Sequence, residues 1–106
     1  IIRVDIAAAD YYYTKFTHPN SFSSSPSLTD GVTWTGSTVV SSHSVAGMSA
    51  YEAAKVVVSN TTKYTMTLAG STWFKVASTA SYGSADNTAL PAGNYTAMIV
   101  AECIAK

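Results

Sequence analysis

Hydrophobic and polar residues alternate along most of this chain, with the period of two that is typical of half-buried β-strands. The closing residues alternate in this way after the turn 90–93, which contains Pro91 and Gly93. The opening residues carry one apolar face, formed by Ile2, Val4, Ile6 and Ala8. On this pattern we predict strands at residues 1–9, 11–16, 32–40, 55–59, 63–68, 72–77 and 94–105.

Two shorter segments predict local structure. The runs at 63–68 and 72–77 are separated by three residues around Gly70, which favours a hairpin between them. Ser49 and Glu52 have the spacing of a capping box, which predicts one short helix near residues 49–56. The three valines at 56–58 favour extended backbone after it, and an entirely extended conformation for residues 53–59 is the alternative.

Seven short strands with turns between them predict a mainly β fold, a two-sheet antiparallel β-sandwich of immunoglobulin-like or jelly-roll type. A chain of 106 residues is long enough for one domain with its own core, so we expect a single domain over residues 1–106. Trp34 and Trp73 are expected to fill that core, and Cys103 to be a small buried residue. The serine-rich stretch 17–30 predicts a long loop, which Phe22 and Leu28 are expected to pin to the body. Residues 78–89 predict a second loop.

The charge of the chain excludes several kinds of partner. Charged residues make up 11% of the sequence and the formal net charge is zero, so the basic surface that nucleic acids or anionic membranes attract is absent. No apolar run reaches the roughly 20 residues that a membrane-spanning helix needs. We therefore expect neither nucleic acid nor a membrane as a partner. Low net charge also favours self-association, because little repulsion keeps copies apart.

No pattern of catalytic or metal-binding residues stands out in the sequence. The candidate bases His18 and His43 lie in serine-rich loops, and neither is accompanied by a nucleophile elbow. Two histidines and one cysteine do not have the spacing of a structural zinc site. Asp86 and Asn87 could supply oxygen ligands to calcium, but the rest of a calcium loop is missing, so Asp86 is expected to be a turn residue. We expect a protein that is not an enzyme and has no cofactor and no metal.

The last predicted strand is apolar on both sides. One face carries Tyr95, Ala97, Ile99, Ala101 and Cys103, and the other carries Thr96, Met98, Val100, Glu102 and Ile104. The outer face of a plain sandwich is polar, so either another element of the chain, such as the short helix, or another subunit is expected to cover the second face. The adjacent Tyr11, Tyr12 and Tyr13 cannot all point inward, so at least one is expected at the surface or at an interface.

The ending Leu-Pro-Ala-Gly-Asn-Tyr-Thr, followed by an apolar strand, resembles the last strand of immunoglobulin-like pilin subunits. It also resembles that of small β-sandwich modules from phage virions and tail appendages. The resemblance covers residues 90–106. It implies a class of protein, a small domain built in many copies into a particle or a filament.

From these observations we expect a non-enzymatic structural or decoration subunit of a phage or virus particle, which forms homo-oligomers and lies in the virion or outside the cell. One alternative is a pilus or filament subunit that donates its first strand to a neighbour. Another is a carbohydrate-binding module that uses tyrosines and serine-rich loops to bind a surface glycan. The chain begins at Ile1 with no visible signal peptide, so it is either a processed chain or a segment of a longer one. The expected interface residues are Ile2, Val4, Ile6, Tyr11, Tyr12, Tyr13, Met98, Val100 and Ile104.

Overall fold

The computed structural model describes residues 1–83 and 89–106. Its strands are β1 (Ile2–Ile6), β2 (Tyr12–Thr17), β3 (Val32–His43), β4 (Val56–Val58), β5 (Thr61–Met66), β6 (Gly70–Tyr82) and β7 (Val100–Ala105). A 3₁₀ helix (Ala46–Ala50) and one α-helical turn, α1 (Tyr51–Ala54), connect β3 to β4. The described residues therefore confirm the predicted mainly β fold, with seven strands and one short α-helix.

The strands form two antiparallel sheets, one with the order β1-β6-β3 and the other with the order β4-β5-β2-β7. Immunoglobulin constant domains have the orders A-B-E-D and C-F-G. Strands β2 to β6 take the positions of B to F in that scheme. However, β1 lies beside β6 and β7 lies beside β2, so the first and last strands have exchanged sheets.

An aromatic group forms the centre of the core. The ring centroids of Phe16 and Phe74 are 4.9 Å apart, and those of Tyr64 and Phe74 are 4.8 Å apart. Met48 and Tyr51, from the short helical segment, pack against this group and are buried. The core is therefore made by both sheets together with the connection between β3 and β4.

The two tryptophans do not fill this core, so that prediction was wrong. Thr72 and Phe74 are fully buried on β6, which places Trp73 between them on the outer face of its sheet. Trp34 lies in a separate cluster, 4.7 Å from the ring of Phe22 between centroids. Sequence alternation correctly marks these segments as strands. It does not show which of the two alternating sets of side chains on a strand faces the core.

The predicted hairpin between residues 63–68 and 72–77 was also wrong. β5 and β6 belong to different sheets, so the residues between them cross from one sheet to the other. Gly70 has a φ of +136°, and a Cβ there would lie 2.8 Å from Ser44 Oγ. The tight hairpin lies one connection earlier, between β4 and β5, where Ser59 and Asn60 form a two-residue loop and Ser59 has a φ of +54°.

Several boundaries differ from the prediction. β1 ends at Ile6 and β7 begins at Val100, whereas strands over 1–9 and 94–105 were predicted. β6 extends to Tyr82 into the predicted loop at 78–89. The predicted turn residue Asp86 and its neighbour Asn87 lie outside the described residues. β3 and β6 are thus long enough to continue past the core as a two-stranded arm, in which residues 32–37 of β3 pair with residues 77–82 of β6.

The predicted capping box was wrong, although the helix it predicted is present. Ser49 lies inside the 3₁₀ helix, and α1 has no side-chain cap. Glu52 instead accepts hydrogen bonds from the backbone N–H of Val40 at 2.9 Å and from the hydroxyl of Tyr64 at 3.2 Å. Lys55 also donates to Glu52. The glutamate therefore joins the helical turn to β3 and β5.

Candidate assembly surface

The outer face of the four-stranded sheet has hydrophobic residues at both edges. Strand register places Val58 of β4 in one cross-strand row with Val100 of β7, and Ile104 opposite Tyr13 of β2. A shallow cavity of about 380 Å³ lies on this face and is lined by Tyr13, Lys15, Val56, Val58, Thr61, Lys63, Ile104 and Ala105. The ammonium of Lys63 lies 4.6 Å from the centroid of the Tyr13 ring, so a cation–π contact forms part of the cavity lining.

The short helix does not cover this face. α1 packs against β3 and β5, and the hydroxyl of Tyr51 accepts a hydrogen bond from the backbone N–H of Leu68 at 3.0 Å. Met98 remains 65% exposed and Val100 38% exposed, so no described element covers them. The short helix, which the sequence offered as one possible cover, is therefore located elsewhere.

Strand β4 is exposed on both of its faces. Val56, Val57 and Val58 are 51%, 59% and 63% exposed, and β4 is the terminal strand of its sheet. A terminal strand leaves one row of backbone N–H and C=O groups without a partner strand in the described residues. Natural proteins usually protect such an edge with charged residues or proline. A terminal strand made of three valines, as here, is therefore unusual.

The four-stranded sheet extends past the three-stranded sheet at both edges. Ala101 and Cys103 of β7 are paired with Phe16 and Thr14 of β2, so they share the inward face of the sheet. Thr14 is 1% exposed, whereas Ala101 and Cys103 are exposed. The opposite sheet therefore covers β2 but not β7. The prediction that Cys103 is buried was wrong for this reason.

The same relation holds at the other edge. Val57 is paired with Thr62 of β5, so both face inward, but Thr62 is buried and Val57 is exposed. The opposite sheet therefore covers β5 and leaves β4 uncovered. Each edge of the sandwich is therefore a step, at which one inward-facing strand of the larger sheet borders an open cavity. Residues of β3 line the cavity beside Val57, and residues of β1 line the cavity beside Ala101 and Cys103.

A groove follows the step at β7. It has a volume of about 320 Å³, and its apolar lining includes Ile2 and Val4 of β1 and Ala101 of β7. Thr14 lies at its base, and its buried hydroxyl has no hydrogen-bond partner in the part of the chain that the structure describes. Buried hydroxyls are normally paired, so this one is an exception in an otherwise satisfied core.

The first strand is part of the chain's own fold. β1 pairs with β6 in the register Ile2 to Phe74, and Ile6 is 5% exposed within the core. Ile2 and Val4 are partly buried against the same core. Donation of this strand to a neighbour stays a prediction, and it would require β1 to leave these contacts.

The three adjacent tyrosines lie at the end of the four-stranded sheet. Tyr11 is 65% exposed, which confirms that at least one of them reaches the surface. Tyr12 is paired with Ala105, on the same face as the inward residues, and Tyr13 lies on the outer face with Lys63. The three residues therefore do not form one platform, and a glycan-binding role for them stays a prediction.

His18 has a structural environment. It is 5% exposed, and its ring nitrogens lie 3.0 Å from Ser78 Oγ and 2.8 Å from Thr38 Oγ1. Burial lowers the pKa of His18, which favours the neutral ring. Gly36 allows this packing, since a Cβ there would lie 2.4 Å from His18 Cγ. The ring joins the end of β2 to the point where the arm leaves the core.

The long loop is held to the arm by aromatic packing. The Phe22 ring lies 4.7 Å from Trp34 and 5.2 Å from Tyr95 between centroids, in edge-to-face geometry. Ser24 and Thr96 form an isolated β-bridge beside it. Phe22 therefore pins the loop, as predicted.

Sequence reasoning identified Tyr13, Val100 and Ile104 on the exposed face but missed its other half. The signal available in the sequence was the run of three valines at β4. A strand that is buried on one side needs hydrophobic residues on that side only, so three consecutive valines indicate a strand with two apolar faces. Nothing in the sequence indicated the steps, because they depend on which strands stand opposite each other across the two sheets.

These features define a class of fold, a two-sheet antiparallel β-sandwich with stepped edges. Comparison of the chain with protein-family models, with curated proteins and with solved structures finds no match in any of the three. The helices in the described residues are too short to cross a membrane. Over the same residues, no three histidine, cysteine or acidic side chains are grouped as metal ligands.

Proposed function

We propose that this protein is a non-enzymatic structural subunit that self-associates, in the manner of a decoration or structural protein of a phage or virus particle. The observation that carries the proposal is the uncovered apolar surface of the four-stranded sheet, from β4 across Tyr13 to β7. A chain with no net charge and such a surface is favoured to associate with other copies.

The composition of this surface supports a protein partner. Tyrosine and aliphatic residues are common at the centres of interfaces, and Lys15, Lys63 and Glu102 lie among them as a smaller polar component. Single exposed hydrophobic residues are ordinary on any protein. Here they follow one another along two edges of a single sheet, which is the arrangement of an interaction patch.

The test is the mass of the purified protein in solution and its appearance by electron microscopy. We expect species larger than the 11.1 kDa chain, and their fraction should rise with protein concentration. The Val58→Lys variant should shift the distribution toward the monomer, because it places a charge within the apolar surface that the proposed contact buries. Val39→Lys is the matched control, since Val39 is exposed on the other sheet. A strict monomer at all concentrations would contradict the proposal.

A filament subunit is the second candidate, and the two stepped edges favour it. Different surfaces at the two edges of one molecule allow head-to-tail contacts, which form rings if they close and filaments if they do not. In negative-stain images a filament of uniform width would support this candidate, whereas closed oligomers or coated particles would support the first.

A further inference from the structure

The two steps have complementary shapes. At one edge β4 extends beyond the opposite sheet and presents Val57 inward. At the other edge β7 extends beyond the opposite sheet and presents Ala101 and Cys103 inward. If one copy is turned over, its β4 can lie above the β7 of the next copy, with the inward faces of both strands together.

We propose that β4 of one copy occupies the groove between β1 and β7 of a second copy, as a fourth strand for its three-stranded sheet. This proposal rests on the proposed self-association and specifies the contact. Both β4 and β1 are terminal strands, so each can pair through its free backbone edge, as in β-strand addition.

The side chains fit this occupant. The groove is bordered by the small residues Ala101 and Cys103, and β4 supplies the branched Val57 to the space above them. Contact between two β7 strands would place small residues against small residues and leave a void, which forfeits packing. A large side chain packed against a small one fills the space of about 10 Å between two packed sheets.

The lengths of the two strands also agree. β4 has three strand residues and the half-buried part of β1 that faces the groove spans Ile2 to Val4. The net formal charge is zero, so no general repulsion opposes the approach of a second copy.

The contact is heterologous, because a copy that offers β4 still has its own groove free for the next copy. This property gives a sharp test with two charged variants, Val57→Lys at β4 and Ala101→Lys at the groove. Both positions are exposed in the single chain, so both variants should keep the wild-type circular dichroism and unfolding midpoint. Each variant alone should be monomeric. Their equimolar mixture should form a heterodimer and nothing larger. The Ala101→Lys chain supplies the only intact β4, and the Val57→Lys chain supplies the only intact groove.

A cross-link provides an independent readout. In the Val57→Cys variant, the new thiol should form an intermolecular disulfide with the native Cys103 under mild oxidation, giving a ladder of linked chains. The same variant with Cys103→Ser, and the Val39→Cys variant, should give no ladder.

The outcomes separate this proposal from the more general one. If the wild-type protein assembles while Val57→Lys and Ala101→Lys assemble equally well, the groove contact is wrong and self-association stands. If Ala101→Lys alone forms dimers, β4 pairs with β4 and the heterologous contact is wrong. If the wild-type protein is a strict monomer, both proposals are overturned.

Discussion

The hydroxyl of Thr14 is a buried polar atom without a hydrogen-bond partner in the described residues. Replacing an unpaired hydroxyl by a methyl group of similar size removes a desolvation cost, so Thr14→Val should raise the free energy of unfolding by about 1 kcal/mol. The measurement is urea denaturation of the monomer.

The same substitution at Thr38 is the matched control for Thr14. Thr38 is 3% exposed, but its hydroxyl lies 2.8 Å from the ring of His18. Thr38→Val leaves that nitrogen unpaired and should lower the free energy of unfolding by about 1–3 kcal/mol. Equal effects of the two substitutions would show that the pairing of the hydroxyl does not decide its cost.

The buried ring of His18 should make stability depend on pH. Because burial lowers the pKa of His18 in the folded chain below its ordinary value of 6.5, the unfolded chain binds the proton more readily. The stabilising contribution is therefore fully present above pH 6.5 and is lost as the pH falls through the lower folded-state pKa. Urea denaturation between pH 7.5 and pH 5, chosen as about one to two units either side of that value, should show this loss.

The variant His18→Gln removes the titrating ring and should flatten this pH dependence, even if it lowers the free energy of unfolding at every pH. An unchanged slope would mean that other groups cause the pH dependence. NMR titration of the His18 ring in the wild-type protein would then locate its pKa directly.

The hydrogen bonds of Glu52 stabilise the helical turn α1, which is only four residues long. Burial acts to raise the pKa of Glu52, but hydrogen bonds from Lys55, Val40 and Tyr64 outweigh it and lower the pKa below 4.5. Glu52→Ala should destabilise the fold by about 1–2 kcal/mol, because the amide of Val40 loses a charged acceptor. The exposed Glu102→Ala is the control and should change stability by less than about 0.5 kcal/mol.

The pH dependence gives a second readout for Glu52. Because the pKa of Glu52 is lowered in the folded chain, its carboxylate stabilises the fold fully at pH values above its ordinary pKa of 4.5. This contribution is lost as the pH falls through the folded-state pKa. The difference between wild type and Glu52→Ala in urea denaturation should therefore shrink in acid. A difference that stays constant down to pH 3, about a unit below the ordinary carboxyl value, would contradict the role assigned to the charge.

The strands could be predicted from the sequence better than their partners could. Alternation and β-favouring residues together located all seven strands. Side chains on a strand point to opposite faces, and branched or aromatic side chains favour extended backbone, whatever the neighbouring strand is. The prediction of a hairpin at Gly70 was wrong, because a short connection that contains glycine can form either a turn within one sheet or a crossing between two sheets. Ser44 and Met48, which pack around Gly70, lie more than 20 residues earlier, and no local pattern reveals such contacts.

The candidate surface was predictable to the extent that it depends on one strand. The two apolar faces of the last strand indicated that its outer face lacks a cover, and Met98 and Val100 are exposed. The exposure of Cys103 could not be predicted, because it results from the unequal widths of the two sheets. Packing between non-neighbouring strands, rather than any property of residue 103, decides it.

The molecule is elongated, with principal extents of 48 × 22 × 21 Å, because the arm of β3 and β6 continues beyond the core. In the core, two sheets cover each other. Along the arm, the second layer consists of the loop around Phe22 and the segment before β7, held by the contacts of Trp34 and Tyr95. A small satellite cluster on irregular segments opens at a lower free energy than the main core.

The two tryptophans allow this difference to be measured, since Trp34 lies in the arm and Trp73 in the sandwich. In Trp73→Phe only Trp34 emits, and its fluorescence should change at a lower urea concentration than that of Trp73 in Trp34→Phe. Far-UV circular dichroism of the two variants is the control and should show similar main transitions. In a Phe22→Ala background the Trp34 transition should move to still lower urea, whereas that of Trp73 should stay in place. Coincident fluorescence midpoints in all these variants would mean that arm and sandwich unfold as one cooperative unit, and the local account of the arm would then be wrong.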